Sequence, residues 1–173
     1  MGKYKNGKET KMKITESKLR RMVREELNET HDRTVSRMLD MDSWTFDQTQ
    51  EGWRSLPRDL QIDALRAYIE GPLRRPARPS RDGKRSDKNT ITWHLGQALA
   101  IRGGPGDQAQ AVRWMKGCKS PDDDQWNNYV DATIAFLEGD RSAFEEHASG
   151  ENYNSSTLER LRDGWGKSYS QAY

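Results

Sequence analysis

The amino-acid sequence predicts an all-α protein: stacked helix hairpins, an irregular array or bundle, carried behind a flexible basic N-terminal arm. Three observations predict this. Apolar residues recur at helical spacing through most of the chain. No segment sustains period-2 alternation of β-branched residues, so strands are not expected. The stretch from Trp93 to His147 divides into two successive helix–turn–helix units. Trp93 and Trp126 lie 33 residues apart, as do Gly106-Asp107 and Gly139-Asp140, a period that fits two short helices and two turns. A single hairpin of that size cannot bury its apolar face alone and stacks on a neighbour.

Residues 1–13 are lysine-rich and poor in apolar side chains, which predicts a disordered basic tail. Residues 14–41 read as an amphipathic helical arm. Thr15 or Ser17 supplies an N-cap, and Leu19, Met22, Val23 and Leu27 form one narrow apolar stripe among charged residues. So narrow a stripe on so charged a helix suits a docking surface, and these four residues are the expected partner-binding set. Val35, Met38 and Leu39 suggest a second short helix.

Residues 42–173 are expected to form the α-helical domain. Asp42 or Ser43 caps a helix running from Trp44 to about Ser55, and Pro57 suits the first turn of the next, which stops at Gly71-Pro72. The segment 72–89 follows, with three prolines and seven basic residues: Arg74, Arg75, Arg78, Arg81, Lys84, Arg85 and Lys88. It reads as a long exposed basic loop whose cations would contact phosphates. It has no aromatic residues on which bases could stack. After the two hairpins, Ser155 or Ser156 caps a last helix carrying Leu158, Leu161 and Trp165. About seven to eight helices result.

Charge is unevenly divided. Residues 1–119 hold 25 Lys and Arg against 16 Asp and Glu, whereas residues 120–173 hold 4 against 11. Such a chain pairs head to tail or turns a basic face to an anionic partner. No apolar run is long enough to span a membrane, and the basic N-terminus lacks the apolar core of a secretory signal. The expected location is the cytoplasm of a host cell or a virion.

Candidate chemistry is sparse. Asp122-Asp123-Asp124 precedes a helix and reads as a cap rather than a cation site, because it lacks alternating ligands and a central glycine. Gly103-Gly104-Pro105-Gly106-Asp107 lacks the spacing of a phosphate loop and reads as a helix connection requiring positive φ. Cys118 stands between Lys116 and Lys119, which would activate a thiolate, but no candidate base lies near in sequence, so it reads as structural. His94 and His147 read as packed or surface imidazoles. No catalytic residue, metal site, cofactor or small-molecule substrate is indicated.

Two resemblances add to these readings. Residues 93–148, and more loosely 44–71, resemble tetratricopeptide-type hairpin arrays in period and in the alternation of large and small apolar residues, although not every consensus position is filled. That likeness implies a stack of helix hairpins. Residues 12–27, Met-Lys-Ile-Thr-Glu-Ser-Lys-Leu-Arg-Arg-Met-Val-Arg-Glu-Glu-Leu, resemble the opening segment of many proteins of marine tailed bacteriophages. That likeness implies a particle-associated protein, and Ile14-Thr15-Glu16 and Leu27-Asn28-Glu29 match a triplet after which such segments are cut. The expected function is therefore a non-enzymatic protein–protein interaction or structural role, with a protein partner or self-assembly. The alternative is a nucleic-acid-associated protein that contacts phosphates through residues 3–24 and 74–88.

Overall fold

A computed structural model describes residues 16–71 and 84–173, and among these every regular element is helical. The helices are α1 (Glu16–Leu39), α2 (Ser43–Gln48), a 3-10 turn (Trp53–Ser55), α3 (Arg58–Glu70), α4 (Asp87–Arg102), α5 (Asp107–Lys116), α6 (Asp124–Glu138), α7 (Arg141–Ala148), α8 (Ser155–Asp163) and α9 (Tyr169–Ala172). The basic tail 1–13 and four of the basic-loop residues, Arg74, Arg75, Arg78 and Arg81, lie outside the described residues.

The chain divides into two compact units, Met1–Thr34 and Val35–Tyr173. The helix expected to break near Val35 does not: α1 is continuous to Leu39. In the first unit, α1 is laced by ion pairs one turn apart, Glu16 with Arg20 at 2.6 Å and Glu29 with Arg33 at 3.1 Å. Pairs of this kind add only a few tenths of a kcal/mol each to a helix. In the second unit, Met38 is fully buried, and Val35, Leu39 and Met41 pack against the core.

Helix α4 is the hub of the second unit. Its sequence is apolar around most of its circumference, and a helix of that kind is buried. Ile91, Trp93, Leu95, Leu99 and Ala100 are all buried, and α4 touches α2, α3, α5 and α9. Gly96 sets the approach of α5, since a Cβ there would stand 2.7 Å from Met115 Cγ. The α4–α5 and α6–α7 hairpins form as the sequence predicts, and α8 packs on α6. Helix α9 then returns to α4, where the buried Gln97 donates to the Tyr169 hydroxyl at 3.3 Å.

The 33-residue spacing does not mark equivalent positions. Gly106 precedes α5 and Asp107 opens it, whereas Gly139 ends α6 and Asp140 caps α7. The first turn has four residues between its helices and the second only two, so equal spacing falls on different roles. Trp93 lies in the second turn of α4 and Trp126 in the first turn of α6. Their rings nevertheless meet edge to face at 5.5 Å, with Tyr129 4.8 Å from Trp93.

Two further expectations change. The helix expected over 44–55 ends at Gln48, and Trp53 begins a separate 3-10 turn. Gly52 allows the reversal: a Cβ there would lie 2.0 Å from the Phe46 carbonyl oxygen. Gly52→Ala is therefore expected to destabilise the protein by about 1–3 kcal/mol, as overpacking does, with thermal unfolding as the check. At the other end, α8 stops at Asp163, before Trp165, and α9 follows as a helix too short for periodicity to announce.

Candidate functional site

A buried cluster of hydrogen-bonded groups beside a large cleft starts with the cap of α2. Asp42 accepts from the backbone N–H groups of Trp44 and Thr45 at 3.1 and 3.2 Å. This is the N-cap device that fixes a helix start. One turn on, Asp47 points inward and is 2% exposed. A carboxylate so placed must be hydrogen-bonded. The turn at Gly52 brings Trp53 back so that its indole Nε1 donates to Asp47 Oδ1 at 2.9 Å. His94, from α4, places Nδ1 2.7 Å from the same oxygen, and Gln48 donates to Oδ2 at 2.5 Å.

Arg54 completes the cluster. It donates to the Asp47 backbone carbonyl, its guanidinium lies 4.3 Å over the Trp53 ring, and one nitrogen is 3.3 Å from His94 Nε2. Burial by itself would raise Asp47. The His94 hydrogen bond and charge, the Trp53 N–H and Arg54 outweigh it and hold the carboxyl below the usual range.

His94 stands between two hollows. A cleft of about 740 Å³ is walled by the 3-10 turn and α3 on one side and α4 on the other, with Trp53, Ile62 and Ile101 among its apolar residues. A hollow of about 270 Å³ on the other side is bounded by Trp93, Trp126 and Tyr129. His94, Gln97 and Tyr173 border both. Asp47 borders neither, so the edge of the imidazole away from Asp47 is the one that reaches them.

The residues singled out from sequence fall elsewhere. Leu19 is 52% and Met22 45% exposed on α1, in the first unit. Val23 and Leu27 lie on the same helix, and their side chains are outside the described ones. Of the basic-loop residues, Lys84 and Lys88 are exposed. Arg85 is already engaged: it pairs with the buried Asp123 at 3.1 Å and its guanidinium lies over the rings of Trp126 and Tyr153 at 4.6 and 4.9 Å. Its sequence neighbours gave no sign of this, because Asp123 is 38 residues away.

The other candidates are structural. Asp123 caps α6 by accepting from Trp126 N–H at 3.1 Å. Gly103 and Gly106 adopt φ of 64° and 79°, and Asp107 ties the turn by accepting from Gly104 N–H at 2.8 Å and from two Arg102 nitrogens at 2.7 Å. Cys118 is fully buried, and burial pushes its thiol up to about 12, overriding the flanking lysines. Among the described residues no group of His, Cys, Asp or Glu is arranged to hold a metal ion, and no helix is long and apolar enough to cross a membrane. No family model, curated protein or solved structure matches the chain.

Proposed function

We propose that the protein is a non-enzymatic interaction or structural protein that assembles through α1. The observation that supports this is the exposure of Leu19 and Met22, 52% and 45%, on one face of a helix otherwise occupied by charges. Burying the remaining exposed half of each side chain contributes about 0.7–1.5 kcal/mol. In the sequence these two residues belong to the apolar spacing that also includes Val23 and Leu27. The exposed ion pairs one turn apart add a few tenths of a kcal/mol each to this helix.

The partner proposed is a second copy of the chain, joined stripe to stripe, and association with a tailed-phage particle is proposed on the resemblance of residues 12–27. The helical hairpins of the second unit would then be the surface carried into the assembly. The test is sedimentation of the full chain against Leu19→Asp/Met22→Asp at low and moderate salt. Apolar docking survives salt and is lost in the double variant. Association that disappears with salt and is unaffected by the two aspartates points instead to phosphate contact.

A further inference from the structure

We infer that the 740 Å³ cleft beside His94 binds an organic anion with an apolar body, of the class of aryl or acyl carboxylates. Its size lies within the range of small-molecule sites, which are mostly apolar with a few placed polar groups. Ile62 and Ile101 supply apolar wall, and Ile101 is 37% exposed. Tyr173 is 41% exposed at the border.

The polar end is built. Asp47, 2% exposed, anchors the Trp53 indole and His94 from behind. Arg54 is anchored on the Asp47 carbonyl, stands 3.7 Å from the Asp47 carboxylate and 3.3 Å from His94 Nε2, and rests on the Trp53 face, yet its side chain remains 44% exposed. A guanidinium held in one orientation and 44% exposed is suited to a planar carboxylate. Arg58 lines the same wall and adds to the positive field. Asp59 is the opposing charge on that wall, and Arg102 is taken up by Asp107. An anionic head therefore lies against Arg54, with its apolar body along Ile62 and Ile101.

The experiment uses the full chain titrated with 2-naphthoate and with its neutral amide, by equilibrium dialysis. The indole N–H resonance of Trp53 serves as a local reporter. The naphthoate is expected to saturate a single site and shift that resonance, and the amide to bind about tenfold more weakly. Arg54→Gln is expected to bring naphthoate down to the level of the amide. Ile101→Asp, an exposed position, is expected to weaken both probes, and Arg113→Gln on α5, outside the cleft, to weaken neither. Absence of saturable naphthoate binding, equal binding of the two probes, or unchanged binding in a folded Arg54→Gln protein overturns the inference.

Discussion

Trp93→Ala is expected to lower the stability of the second unit by about 3–5 kcal/mol, the usual cost of deleting a buried aromatic side chain. Trp93 is 3% exposed on the hub helix α4 and meets the rings of both Trp126 and Tyr129. Its removal opens a cavity where α4 and α6 touch, and neither helix can close it without moving its own partners. Domains of this size are stable by only about 5–15 kcal/mol, so the variant approaches unfolding at moderate temperature. Urea titration checks this: the midpoint falls while the slope stays constant. Trp44→Ala is the contrast. That ring is 56% exposed, and its loss is expected to change stability by no more than about 0.5 kcal/mol. Equal effects of the two substitutions would contradict the assignment of the core.

Asp47→Ala is expected to cost about 1–3 kcal/mol, because it leaves the buried Trp53 N–H and His94 without their common acceptor. Asp47→Asn retains the shape and one acceptor, so its cost is smaller, and it carries a distinct signature in pH. Burial would raise the Asp47 pKa, but the hydrogen bonds and the charges of His94 and Arg54 hold it down in the folded protein. A carboxyl whose folded pKa is depressed stabilises the fold above the unfolded value, about 3.9, and loses that contribution as pH falls through the folded one. Asp107 acts in the same sense, its pKa lowered chiefly by the Arg102 hydrogen bonds. The wild-type protein should therefore lose stability progressively below about pH 4. Asp47→Asn should show a shallower acid decline, and an unchanged decline would show that the Asp47 charge does not support the fold.

The helices were legible where local rules act alone. The apolar spacing of Leu95, Leu99, Val112, Met115, Tyr129, Phe136 and Phe144, with glycines at 103 and 139 in the turns, predicts α4 to α7 without tertiary information. The reversal at Gly52 was not legible, because a helix pattern continues through Trp53 and the carbonyl that excludes a Cβ is known only in three dimensions. Helix α9 escaped notice because four residues cannot display a period. Its capping box, Ser168 with Gln171, was the one local signal available. The site was hidden for a related reason. Asp47 and His94 are 47 residues apart on different helices, and each reads alone as an ordinary polar residue. Asp47 among Trp44, Phe46 and Trp53 was the available hint, since a carboxylate within an aromatic set needs partners once buried. Cys118 shows the converse. Despite its flanking lysines it reads as structural from the sequence, and the burial that the fold imposes agrees.

The most direct test of assembly through α1 is size-exclusion chromatography with light scattering, on the full chain and on residues 30–173, at two salt concentrations. The shorter chain removes Leu19, Met22, Val23 and Leu27 and keeps the whole second unit, Val35–Tyr173. The account predicts a multiple of the monomer mass for the full chain at both salts and the monomer mass for the shorter one. A full chain that runs as a monomer at both salts, or a shorter chain that still assembles, would contradict it.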